Sequence, residues 1–167
     1  MKRKLFAALL ALVMVVSILP LGVFAAETVT TEAALVAAVA NDNTIVLGAD
    51  IELTERLMIT KNITLDLNGY TLFGNYVSET AYVGLSGTLV VNDSSELGTG
   101  KIVSAKDCAI GNYGMVTING GTFVAGIDDL YDMAALYNYY YNDTAYGTSV
   151  INGGTFDNVF NCLFWNI

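Results

Sequence analysis

Short apolar runs recur along the chain, each alternating with polar positions and each closed by Gly, Asn or Asp. Ile63, Leu65 and Leu67 alternate with Thr64, Asp66 and Asn68, and Val116 and Ile118 alternate with Thr117 and Asn119. A period of two puts the apolar set on one face of a β-strand, and the bounding residues are turn formers. One stretch departs from this pattern. Leu35, Ala38 and Val39 fall at helical spacing among alanines, with Thr30, Thr31 and Glu32 ahead of them as capping residues. Asn41-Asp42-Asn43 ends the segment. The pattern predicts one helix over 30–41, followed by strands at Ile45–Leu47 and Ile51–Leu53.

The β-type body repeats. Without a gap, AYVGLSGTLVVND (81–93) lies over CAIGNYGMVTING (108–120), matching Gly84 to Gly111, Gly87 to Gly114 and Asn92 to Asn119. AALYN (134–138) matches CAIGN (108–112), and GTSVINGGTF (147–156) matches GMVTINGGTF (114–123). LMITKNITLDLNG (57–69) extends the series upstream, and CLFWN (162–166) extends it downstream. Extra residues gather at 94–99, 128–132 and 139–146, all between apolar runs. A period of roughly 26 residues with insertions confined to turns is the signature of a solenoid. A leucine-rich repeat has a similar period, but its leucine spacing is absent. A β-sandwich would need hairpins and would not produce the ungapped match. The expected fold is therefore all-β: a right-handed parallel β-helix over coils 44–167, with a short N-terminal capping helix covering its open end. The tag apolar–Asn–Gly–x–Thr–apolar appears at 67–72, 118–123 and 151–156. Its glycine suits a corner with positive φ, and its asparagines are expected to bond backbone groups and one another in a ladder.

Residues 1–25 stand outside this pattern. Lys2, Arg3 and Lys4 precede an apolar run from Leu5 to Leu19, then Pro20, Gly22 and Val23-Phe24-Ala25. This reads as a cleaved signal peptide of bacterial type, because the run is shorter than the roughly 20 residues a membrane span requires. The remaining domain, 27–167, keeps four basic residues and sixteen acids, so its charge is 4 − 16 = −12. That charge excludes nucleic acid as a partner and repels anionic lipid. Secretion or a bacterial cell-surface location is expected, with no membrane association once the signal is cleaved. Ile167 falls inside a copy with no polar cap after it, so truncation at the C-terminus is expected as well.

The string TEAALVAAVANDNTIVLGADIELTERLMITKNITLDLNG, followed by the INGGTF repeats, resembles secreted bacterial right-handed parallel β-helix proteins of the pectin-lyase-like fold. The resemblance covers about residues 30–166. That fold hosts lyases, glycosidases, adhesins and non-catalytic surface proteins, so it implies architecture more than activity.

Little catalytic chemistry is visible. The absence of histidine removes imidazole as base or ligand. Arg56, Lys61, Lys101 and Lys106 are the basic residues left, and none is matched to acids at the same place in neighbouring copies. Asp66 has Val90, Thr117 and Val150 as its expected equivalents, so no carboxylate ladder forms for acid–base work. Asp128, Asp129 and Asp132 read first as a solvated loop and second as an oxygen-rich calcium site. No other cofactor is expected. Tyr139, Tyr140, Tyr141 and Tyr146 sit in an insertion. They either cover an apolar flank or stack on sugar faces, as tyrosines do in binding surfaces. Cys108 and Cys162 share one repeat position with Ala134 between them. Stacked strands would hold them about 9–10 Å apart, beyond the roughly 7 Å a disulfide spans, so two buried free thiols and no disulfide are expected.

The favoured function is a non-catalytic surface module for adhesion or glycan binding, with polysaccharide or another surface protein as partner. The alternatives are an N-terminal fragment of a polysaccharide lyase or glycoside hydrolase, and a structural spacer.

Overall fold

The computed structural model describes residues 26–75, 78–126, 133–142 and 145–157. The signal-like segment 1–25, the acidic residues Asp128, Asp129 and Asp132, and Cys162 lie outside the described residues. Among the described residues the fold is all-β with one short helix, and it is built on three parallel sheets.

Strand β1 (Glu27–Val29) precedes helix α1 (Glu32–Asn41). The chain then repeats a three-strand order. β2 (Thr44–Leu47), β5 (Asn62–Asp66), β8 (Thr88–Asn92), β11 (Met115–Ile118) and β16 (Thr148–Ile151) join β1 in the first sheet. β3 (Ile51–Leu53), β6 (Thr71–Gly74), β9 (Lys101–Ser104), β12 (Thr122–Val124) and β17 (Thr155–Asp157) form the second. β4 (Leu57–Ile59), β7 (Ala81–Val83), β10 (Ile110–Asn112) and β13 (Leu136–Asn138) form the third. Successive strands thus visit the three sheets in rotation, an arrangement compatible with a β-helix. A small antiparallel hairpin, β14 (Tyr140–Asn142) with β15 (Ala145–Tyr146), interrupts the rotation between β13 and β16.

The alternation in sequence becomes the core. Ile45, Leu65, Val91 and Ile118 stack inward in the first sheet. Leu72, Ile102 and Phe123 do so in the second, and Leu57, Ala81, Ile110 and Leu136 in the third. All are buried and belong to one apolar cluster. Phe123 stacks on Phe156 with ring centroids 5.1 Å apart.

The helix begins two residues later than the expected span of 30–41, directly after the predicted capping threonines. Thr31 is the N-cap, and its Oγ1 accepts from the Ala34 N–H. Leu35, Ala38 and Val39 are buried, as the spacing predicts. Both helix ends are tied to strands. The Glu32 carboxylate accepts from the Thr54 N–H at 2.7 Å, and the Lys61 Nζ donates to the Ala40 carbonyl at 2.8 Å. A carboxylate at the first turn and a cation at the last both suit the helix dipole.

The register corrects part of the sequence alignment. Ala81 pairs with Ile110, not with Cys108, while Leu89 still pairs with Val116. The turn Gly84–Gly87 is longer than its counterpart Tyr113-Gly114 and absorbs the difference. Leu65, not Leu67, sits on Val91. Asp66 therefore pairs with Asn92, rather than Val90. It occupies the base of the expected ladder, where its Oδ1 accepts from the Ser94 N–H. Above it, Asn119 Nδ2 donates to Asn92 Oδ1 and Asn152 Nδ2 to Asn119 Oδ1, both at 2.8 Å. Asn68 leaves the ladder: it adopts positive φ and donates to the Leu47 carbonyl. Among the described residues of the ladder Asn119 alone bonds in both directions, so Asn119→Ala should cost about 1 kcal/mol in urea denaturation, more than Asn152→Ala at the last described rung.

Candidate functional site

The third sheet turns a tyrosine-rich face outward. Tyr82, Gly111 and Tyr137 occupy one outward column across β7, β10 and β13. Tyr113 and Tyr139 follow β10 and β13 at the next corner. The parallel stack brings these rings together. The Tyr113 and Tyr139 rings stack with centroids 4.5 Å apart and planes nearly parallel, at 7°. Tyr82 tilts against Tyr113 at 5.6 Å, and Tyr137 meets Tyr139 edge-on at 4.6 Å. Gly111 provides the space. A Cβ there would stand 2.6 Å from Glu79 Cγ and 3.0 Å from Tyr139 Cε2.

Glu79 anchors the cluster from beneath. It is buried, and Tyr139 donates its hydroxyl proton to Oε1 at 2.7 Å. Arg56 approaches Oε2 at 3.1 Å, and the Ser78 hydroxyl donates to the same oxygen. The Arg56 guanidinium also sits 4.4 Å from the centre of the Tyr82 ring. The repeat alignment did not match Arg56 to any acid; the fold pairs it with one 23 residues away. Burial alone would raise the Glu79 carboxyl. The hydrogen bonds from Ser78, Tyr139, its own backbone and Arg56 outweigh that and hold it below the usual carboxylate range. Burial, reinforced by the bond to Glu79, pushes the Tyr139 phenol far up, so it remains a proton donor.

This arrangement predicts a pH dependence. A carboxyl that titrates lower in the folded than in the unfolded chain adds stability above its unfolded value, and that stability disappears as pH falls through the folded value. Glu79→Gln should therefore lower the Tm at pH 7, and its difference from the wild type should begin to shrink as pH falls below the ordinary glutamate value of about 4.3 and vanish only once pH has passed below the folded value. An unchanged gap at acid pH would show that packing, not charge, carries the effect.

Of the four tyrosines singled out in the insertion, Tyr139 is the half-buried member of this cluster. Tyr140, Tyr141 and Tyr146 are exposed on the β14–β15 hairpin, at 61%, 61% and 53%. Tyr82, Tyr113 and Tyr137, which the sequence reading passed over, complete the face. Their only signal in the sequence is that they fall at strand ends and outward positions of the repeat. Between the hairpin and the corner Gly84–Gly87 lies an open groove of about 520 Å³, lined by Tyr113 and Tyr146 among others.

Comparison with family models, curated proteins and solved structures finds no match. The site is therefore read from its own chemistry. Among the described residues, no three His, Cys, Asp or Glu side chains group together as metal ligands would. Cys108 is a buried free thiol. Burial first, then the neighbouring Asp107, pushes its proton affinity well above that of an ordinary thiol, which leaves it unreactive. Its place in the stack is level with Ala134, as the repeat predicts, since Ile110 pairs with Leu136.

Proposed function

We propose that this chain is a secreted or cell-surface right-handed parallel β-helix module of the pectin-lyase-like type, with α1 as its N-terminal cap. In this reading it is non-catalytic and contacts glycans through its tyrosine face. The observation that carries the proposal is the ordered cluster Tyr82–Tyr113–Tyr139, fixed by Glu79, beside three exposed tyrosines on a hairpin. Rigid aromatic rings give large contact area at low entropic cost, and loops mounted on a rigid scaffold commonly carry function.

A glycan array followed by pull-down on insoluble polysaccharide tests this. The wild type should be retained, and the triple variant Tyr140→Ser, Tyr141→Ser, Tyr146→Ser should lose retention while keeping its circular dichroism. These side chains are exposed, so their removal should leave the fold intact. Absence of binding on the whole array would favour the spacer.

A further inference from the structure

The groove beside the hairpin has a chemistry that narrows the ligand. It runs along the stacking direction, over the first residues of three neighbouring strands: Thr88 of β8, Met115 of β11 and Thr148 of β16, which pair in register. Leu85, Tyr113 and Tyr146 also line it. Leu85, Met115 and Tyr146 are each about half exposed, at 52%, 50% and 53%. Two strand spacings of about 4.8 Å give a floor about 10 Å long. The volume, about 520 Å³, is in the usual range for small-ligand sites.

Among the described residues, the lining contains no Asp, Glu, Lys or Arg. In a domain that carries sixteen acids against four basic residues beyond the signal-like segment, a polyanion meets a repulsive field and finds no cation in the groove to offset it. What the groove offers is hydroxyls from Thr88 and Thr148, the phenol of Tyr146 and apolar surface. The ring of Tyr113 is held in advance by its stack on Tyr139, itself bonded to Glu79. A preformed aromatic wall lowers the ordering cost of binding.

We infer that this groove binds a neutral saccharide chain, an unsubstituted hexose or pentose polymer and not a uronate, with Tyr113 and Tyr146 against the sugar faces. The inference rests on the glycan-binding reading above and specifies its site and ligand class.

Isothermal titration calorimetry of the protein with cellotetraose and xylotetraose as neutral probes, and tetragalacturonate as the acidic one, tests it. A neutral chain should bind and tetragalacturonate should not. Tyr146→Ala should weaken the neutral chain about tenfold or more, whereas Leu97→Ala, at an exposed position outside both the groove and the tyrosine face, should leave it unchanged. Binding of tetragalacturonate alone overturns the neutral class and leaves glycan binding standing. Neutral binding insensitive to Tyr146→Ala overturns the groove as its site. No binding of any probe overturns this inference; an accompanying array without hits then removes the glycan reading too. Thermal melts of each variant separate lost contact from lost fold.

Discussion

Replacing Gly114 with alanine should cost about 3 kcal/mol or more of folding stability, measured by urea denaturation. Gly114 closes the corner between β10 and β11, where the chain passes directly over the preceding corner. A Cβ at this position would lie 2.3 Å from the Gly87 carbonyl oxygen and 2.4 Å from that of Gly84. Neither oxygen is free to retreat. Gly87 O accepts from the Met115 N–H at 3.1 Å, and Gly84 O accepts from the Gly87 N–H at 2.8 Å. Moving the first breaks a bond between successive corners, moving the second opens the lower turn, and either strain spreads into the pairing of β8 with β11. Gly98 supplies the comparison. It has positive φ, +60°, but a Cβ there meets nothing within 4 Å. Gly98→Ala should therefore cost only the backbone preference, about 1–2 kcal/mol. If the two variants melt alike, the corners do not approach as closely as the structure has them.

Phe123→Ala should cost about 3–5 kcal/mol, again read from urea or thermal unfolding. Phe123 is fully buried and is among the largest fully buried side chains of the described core. It lies in the second-sheet column between Ile102 and Phe156. Truncation removes its own burial and also the stacking partner of Phe156, so the cavity opens between two rungs that cannot collapse without shifting a whole strand. Phe156→Ala should cost less, because Phe156 is only partly buried. Equal losses from the two would mean that Phe156 is as tightly held in the column as Phe123. Against a total stability of about 5–15 kcal/mol for a domain of this size, either Gly114→Ala or Phe123→Ala would place the chain near its unfolding threshold.

The two residues differ in how far the sequence revealed them. Phe123 stood out because it occupies the apolar position of a tag that returns at Phe156. Gly114 was one of several matched glycines, and nothing local distinguished its carbonyl neighbours from those of Gly98. The tyrosine face lies further from sequence reading. Tyr139 was visible as part of an insertion, but its bond to Glu79 spans 60 residues. The pairing of Glu79 with Arg56 spans 23. Neither shows in a repeat alignment, because the partners occupy different positions in different copies.

What the sequence alone determined is what local chemistry controls. Alternation every second residue set which side chains face inward. The alanine-rich segment with its threonine cap set the one helix. The Asn–Gly tags marked corners, and the match of Asn92, Asn119 and Asn152 anticipated their ladder. What only the tertiary structure decided is the register between copies. A shift of two residues keeps every apolar side chain on the same face, so alternation cannot distinguish Ala81 over Cys108 from Ala81 over Ile110. The lengths of the corners settle that choice. Gly84–Gly87 bulges where Tyr113-Gly114 turns tightly, and the corner after Leu65 is wider than the one after Ile118. Once register is fixed, Asp66 falls into line with the asparagines, Gly111 opens a gap between Tyr82 and Tyr137, and Tyr139 reaches through it to Glu79. The tyrosine face thus depends on corner lengths, which matter only when one copy is stacked upon the next.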